Sequence, residues 1–438
     1  MIRNLNKFNK PFIILFVVYI LLQIILVLSN EPHFESDSLY YYQKASQCVA
    51  DNSLYPNESN IYDDFLVAPI YINYLFIILK VFNSAKAILF FNIILNSLNL
   101  VLVYSITKKI FSNSSAFIAA VLYVLYLNNF GIILMNLTDL LFCSTILLSI
   151  YFFLINKRLF LFLAGVMIAI SIGIRPLGWA LLLAMLIIIA LNFKHFGLSK
   201  MSFLISGCLI IIIGQGVYNS RHFGDFIFTG TTGSLNLLIG ANDDATGTFE
   251  ASVFDKGKIG YLENLDSLTY IEKGEFYQNQ AVNWIKSHPI RWISLLPAKF
   301  AYLFITDDYA LYPLISNSQI HVYEYAKALF KQKDFASFIR QPNRTEYLIL
   351  AIMHHLFYIF ILLFFFYQFY VNFKQNRQNY NVLLIELFII FGLLMTIPIY
   401  GSARYKYPYI VVGMIVSSPI IANLQFVKKF IYRFNKSS

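Results

Sequence analysis

Apolar runs of near-bilayer length recur at about 11–29, 87–107, 115–133, 137–155, 159–174, 176–193, 201–218, 347–370, 382–400 and 406–424. A helix rising 1.5 Å per residue needs about 20 residues to cross a hydrocarbon layer of roughly 30 Å. The pattern predicts an all-α polytopic membrane protein with about ten transmembrane helices. The first run is too long for a signal-peptide core, and Leu28-Ser-Asn-Glu-Pro32 after it offers no small-residue cleavage site, so it reads as a signal anchor. Two polar blocks interrupt the apolar rhythm, at about 30–86 and 219–346. They divide the chain into an N-terminal transmembrane module over 1–218, an external loop domain over 219–346 and C-terminal transmembrane helices over 347–438.

Composition agrees: 58% of residues are hydrophobic, only 13% are charged, and the mean hydropathy is +0.63, outside the range of soluble domains. The net charge of +10 would suit a nucleic-acid partner if it formed a patch, but it is dispersed by side. One set of loops carries Arg3, Lys7, Lys10, Lys108, Lys109, Lys157, Arg158, Lys194, Lys200, Lys374, Arg377, Lys428, Lys429, Arg433 and Lys436 and no acid, the positive-inside pattern. Nucleic acid is excluded on that ground, both termini are expected in the cytoplasm, and every carboxylate except Glu386 falls outside or at the outer edge. An even number of crossings follows. The short apolar stretch Ala68–Phe82, interrupted by Asn73 and Lys80, is therefore expected to lie along the outer interface as a juxtamembrane helix. Cys143 and Cys208 fall inside apolar runs, so the three cysteines imply no disulfide framework.

Candidate chemistry gathers at the outer edge. Phe34-Glu-Ser-Asp-Ser-Leu-Tyr-Tyr-Tyr42 follows the first crossing, with Asp37 or Ser38 as the expected cap of a helix through about residue 50. A carboxylate at that boundary can accept a proton from a hydroxyl or hold a metal. Asp139 stands at the mouth of the fourth crossing, where capping the helix and serving the site weigh equally. Arg175, in Gly173-Ile-Arg-Pro-Leu-Gly178, has no acidic neighbour in sequence, and snorkelling to lipid headgroups balances a functional role. Arg404 and Lys406 lie among aromatics in the last outer turn, at the depth of a lipid phosphate. In the second polar block, Gly, Asn and Thr between short apolar runs predict turns and extended segments, hence a small mixed domain, with an amphipathic helix at about 275–287 and an interfacial helix after Pro289. His354-His355 reads as a packed or cavity-lining pair.

Taken in order, Asp37-Ser-Leu-Tyr-Tyr, Asn136-Leu-Thr-Asp139, Arg175-Pro176, Tyr218-Asn-Ser-Arg-His-Phe-Gly-Asp225, Ile239-Gly-Ala-Asn-Asp-Asp-Ala-Thr-Gly247 and Ala403-Arg-Tyr-Lys-Tyr-Pro408 resemble the GT-C glycosyltransferases of the protein-mannosyltransferase and aminoarabinose-transferase type, glycosyltransferase family 39. The resemblance implies an inverting transferase that moves a sugar from a polyprenyl-phosphate donor to a lipid, glycan or protein acceptor on the external face. It implies Asp37 as general base or acceptor-orienting group, with Glu35 as the competing carboxylate or a loop brace, Asp139 as the second-loop acid that positions the acceptor or shares that role, Arg404, Arg175 and Lys406 as donor-phosphate ligands, and Tyr41, Asn242 and Gly247 as substrate-loop residues. No cofactor is expected. A divalent metal is disfavoured because His33, Glu35 and Asp37 make an incomplete ligand set. A bacterial inner membrane is the expected location. The competing classes are a glycolipid transporter or flippase, which would favour inverted repeats and broken midplane helices, and an O-antigen polymerase or ligase, which gives no reason for an acidic first loop.

Overall fold

The computed structural model describes residues 10–315, 321, 322, 325, 328, 339–374 and 379–425. Arg3, Lys7, Arg377, Lys428, Lys429, Arg433 and Lys436, which carry much of the inside-charge pattern, lie outside the described residues, as does most of 316–338. Each of the ten apolar runs is helical. In chain order the first half holds α1 (Lys10–Leu28), α2 (Asp37–Asp51), α3 (Pro69–Phe82), α4 (Ala85–Ile110), α5 (Asn113–Leu125), α6 (Asn128–Gly131), α7 (Asp139–Ile155), α8 (Arg158–Ile174), α9 (Gly178–Leu191) and α10 (Phe193–Phe223). The remainder holds α11 (Gly233–Ile239), α12 (Tyr270–Ser287), α13 (Pro289–Phe304), α14 (Arg344–Lys374), α15 (Tyr380–Thr396) and α16 (Tyr407–Asn423).

Four of these, α1, α4, α10 and α14, are long and apolar enough to cross a membrane singly, while α3, α7, α8, α9 and α15 are shorter apolar helices. The protein is an integral membrane protein. Its outer helices present apolar rows, Ile14, Leu21 and Ile25 on α1 and Ile352, Leu356 and Leu363 on α14, which suit lipid rather than water. The centre is occupied by α16, whose residues from Tyr407 to Ser418 are buried without interruption.

The run at 115–133 is not one straight crossing. It breaks after α5, and the segment 128–134 turns away by 62°. Freed backbone groups at that depth must find partners inside the protein. Asn129 Nδ2 donates to the Tyr123 carbonyl, Asn92 Nδ2 to those of Ile133 and Met135, and Asn96 Nδ2 to that of Asn129. Tyr407 of α16 donates to Asn129 Oδ1.

The two polar blocks join. The Thr231 amide donates to the Leu66 carbonyl, Thr231 Oγ1 accepts from the Leu66 amide, and buried Lys273 of α12 donates to the Tyr62 carbonyl and pairs with Asp64 at 3.2 Å. A capping box of Thr269 and Glu272 begins α12, five residues before the amphipathic helix expected from 275. The described residues of 219–346 contain helices, 3₁₀ turns and loops and no strand, so the expected mixed character is not seen there. The Gly- and Thr-rich chain at 224–232 and the loop at 240–250 form turns, bends and irregular segments as expected, and the apolar run between them forms the short α11. The short apolar stretch expected as a juxtamembrane helix forms α3, buried along one side by Tyr71, Ile72, Leu75, Ile78 and Leu79.

Helices α8 and α10 approach to backbone contact: a Cβ on Gly165 would stand 2.0 Å from the Leu204 carbonyl oxygen, and one on Gly207 2.0 Å from that of Phe162. Small residues permit such crossings in membranes. Gly207→Val is expected to cost about 1–3 kcal/mol by overpacking, seen as a lowered thermal midpoint of the detergent-solubilised protein, whereas Gly214→Val, with open space around it, should leave the midpoint near wild type.

Candidate active site

Four charged side chains from four distant stretches meet. Asp37 is the first residue of α2, preceded by Ser36 at φ 50°, so neither Asp37 nor Ser38 occupies the expected cap position. The start of α2 is held by Asn136, which donates to the Ser38 carbonyl at 3.0 Å and accepts from the Tyr71 hydroxyl at 2.8 Å. Asp139 opens α7 and is buried. Its Oδ2 accepts from both Arg175 Nη2 and Arg404 Nε, each at 2.8 Å. Thr138 Oγ1 accepts from Arg175 Nε at 2.8 Å and Arg404 Nη2 at 3.4 Å. Arg404 Nη1 reaches up to Asp37 Oδ2 at 2.5 Å, and there the site opens: the Asp37 side chain is 58% exposed, against 16% for Arg404. Tyr41 stands edge-on to Tyr71, ring centres 5.4 Å apart, with its hydroxyl beside Arg404.

The cluster balances two guanidinium groups against two carboxylates. Burying a charge without such balance is costly, and a paired one still requires its remaining hydrogen-bond capacity to be met. Here that capacity is not all met. Asp139 Oδ1 and Arg175 Nη1 are buried with no partner, an acceptor and a cationic donor left open at the floor of the site.

A second buried cluster lies behind the turn that carries Arg404, a 3₁₀ segment from Ala403 to Lys406. Lys406 does not share the anion site with Arg404. Its Nζ pairs with Asp307 Oδ1 at 3.0 Å and donates to the Thr306 and Ala403 carbonyls. Asp307 Oδ2 accepts from Tyr126 at 2.6 Å and meets His354 Nε2 at 3.0 Å, while its backbone amide donates to His355 Nε2. The histidine pair therefore holds this loop. Burial opposes the ionised form of Asp307, but Lys406, His354 and Tyr126 hold its carboxyl below the usual range. Beside it, burial likewise opposes ionised Asp308, and His321 with the Val322 amide holds that carboxyl down.

Glu35 stands apart from the four charges, bonded to His33 at 2.7 Å. Asn242 is buried in its own turn, donating to the Leu238 and Ile239 carbonyls and accepting from the Asp244 amide. Gly247, at φ 100°, accepts from the Gly401 amide, so this loop buttresses the approach to Arg404 from behind. Among the described residues no group of three or more His, Cys, Asp or Glu side chains is placed to hold a metal ion.

Residues 67–217, about a third of the chain, match the family model for dolichyl-phosphate-mannose-protein mannosyltransferase. No curated protein matches by sequence. Among solved structures, the oligosaccharyltransferase AglB from Archaeoglobus fulgidus in complex with an inhibitory peptide and a dolichol-phosphate superposes with a TM-score of 0.54 at 15% identity, over 98% of this chain and 52% of that one. The apo form of the Archaeoglobus fulgidus oligosaccharyltransferase gives 0.52 at 13% identity, over 97% and 52%. This is a membrane protein with a GT-C-like fold. The chain spans about half the length of the GT-C structures it matches.

Sequence reading missed Asp307, Asp308 and Lys299. The adjacent acids in Phe304-Ile-Thr-Asp-Asp-Tyr-Ala-Leu-Tyr312, set among apolar residues, were the available signal for the first two. Lys299 of α13 is buried without a carboxylate and donates to the Gly240 and Pro398 carbonyls at 2.7 and 2.8 Å, just past the ends of α11 and α15. Burial pushes its amine down to about 8 from 10.5.

Two outcomes are expected. Lys406→Met, which strands buried Asp307, should cost about 3–5 kcal/mol of stability, measured as a thermal midpoint well below that of Lys80→Met on the surface. The folded pKa of Lys299 is depressed, so its burial penalty is fully present below about 8. The unfolded chain binds more protons between about 8 and 10.5, and stability rises with pH across that window. The neutral amine keeps enough N–H groups for both carbonyls. Against Lys299→Met, the wild-type midpoint should therefore gain as pH is raised through that window.

Proposed function

We propose that this protein is an inverting glycosyltransferase that moves a sugar from a polyprenyl-phosphate carrier to a hydroxyl-bearing acceptor at the external face of a bacterial inner membrane, with both termini cytoplasmic. One observation carries the reading: Arg175 and Arg404, 229 positions apart by number, converge on buried Asp139 directly beneath an exposed carboxylate, Asp37. A fork of guanidinium groups suits a phosphate leaving group, and a carboxylate open to the outside suits a base. The acceptor oxygen bonds to the anomeric carbon while the bond from that carbon to the phosphate oxygen breaks. Asp37 takes the acceptor proton, and the two arginines neutralise the charge developing on the departing lipid phosphate. They supply the positive charge that a metal would otherwise bring.

The one-sided distribution of lysine and arginine supports the external placement. A lipid-phosphate carrier is supported by the family-model match and by the dolichol-phosphate held in the AglB complex. The acceptor is a lipid, a glycan or a protein.

The test is transfer by membranes containing wild type or Asp37→Asn, supplied with radiolabelled polyprenyl-phosphate sugars. The variant is expected to be inserted at wild-type abundance and to lose about 10²–10⁴ of the transfer rate, the worth of a positioned base. Full activity of Asp37→Asn removes Asp37 from the chemistry, and donor binding without transfer to any acceptor would favour a carrier of glycolipids.

A further inference from the structure

In the resting site the group assigned as base and the group assigned to the donor phosphate are bonded to each other. Arg404 spends all three nitrogens on protein: Nε on Asp139, Nη2 on Thr138 and Nη1 on Asp37. Arg175 spends two and leaves Nη1 buried and unpartnered. A phosphate seated against that free N–H would lie beside the neighbouring guanidinium, where Asp37 is the one partner able to leave, because its side chain is 58% exposed while that of Asp139 is wholly buried.

Charge dictates the same exchange. Two arginines and two aspartates sum to zero. A phosphodiester linking lipid and sugar adds one negative charge to a buried site, which is unfavourable in a low dielectric. If Asp37 swings out to solvent as the phosphate arrives, Arg175, Arg404, Asp139 and the phosphodiester again sum to zero.

We propose that Asp37 and the donor phosphate compete for Arg404, so that donor binding itself releases the base toward the acceptor. This rests on the transferase reading and adds an order to it: the donor binds first, and Asp37 stays capped by Arg404 until it does. A water or acceptor hydroxyl entering an empty site meets a carboxylate already spent on an ion pair.

The experiment measures the affinity of purified, detergent-solubilised protein for a sugar-free polyprenyl phosphate, comparing wild type, Asp37→Asn, Asp37→Ala and Arg404→Gln, with thermal melting to verify folding. Removing the competing carboxylate is expected to tighten binding by about fivefold in both Asp37 variants, the scale of a partly exposed ion pair, even as transfer is lost. Arg404→Gln should weaken binding. Equal or weaker binding by both folded Asp37 variants, with Arg404→Gln still impaired, overturns the exchange and leaves the lipid-phosphate site standing. Absent binding by wild type, or binding indifferent to Arg404, overturns the exchange together with the transferase reading beneath it.

Discussion

Everything at this end of the bundle depends on one buried carboxylate oxygen, Asp139 Oδ2, and the two arginines that donate to it. A lone ionised carboxylate would be prohibitively costly there, and so would either arginine unpaired. The contact therefore does more than add stability. It forces the start of α7, the α8–α9 turn and the turn before α16 into a single geometry, since moving any one leaves a charge stranded. Because α2 reaches the same arginine through Asp37, the first polar loop is registered against the last.

The support beneath that contact is also polar. Asn96 takes hydrogen bonds to Tyr19, Gln23, the Asn129 carbonyl and Tyr123, tying α1, α4, α5 and the bent segment after it. Asn128 donates to the Asp307 carbonyl, and a Cβ on Gly131 would collide with the Ala310 carbonyl oxygen at 1.5 Å. Backbone that departs from regular helix inside the bundle is thus met by side-chain amides. Buried networks of this kind favour one arrangement because a shifted one leaves several groups unpaired at once.

The helices were legible because their apolar runs are long, and the four charges at the site because each stands at the outer end of such a run. What joined them was not legible. Arg175 has no acid near it in sequence, and its partner Asp139 lies 36 positions away. Lys406 was grouped with Arg404 by proximity, yet in a 3₁₀ turn successive side chains advance by about 120°, so residues two apart diverge, one to the site and one to Asp307. The break after α5 was hidden because Asn128 and Asn129 sit within an otherwise apolar run whose length alone suggested a single crossing. The glycine- and threonine-rich opening of the second polar block forms the turns and irregular chain its composition suggests, but the short apolar run after it, too brief to read as a helix, forms Gly233–Ile239 with Leu238 and Ile239 buried.

The bend in that fifth helix carries a cost in time as well as in space. Tyr126 finds Asp307 only 181 residues later, and Asn129 receives its bond from Tyr407, 278 residues later. While the chain is being synthesised and inserted, the polar groups at the bend have no C-terminal partners. The early helices must wait in an unfinished state, their amides shielded by neighbours or by the insertion machinery, until α16 slides into the centre. Helix α16 is thus the keystone of helices made long before it, and the site comes into being only once it is in place.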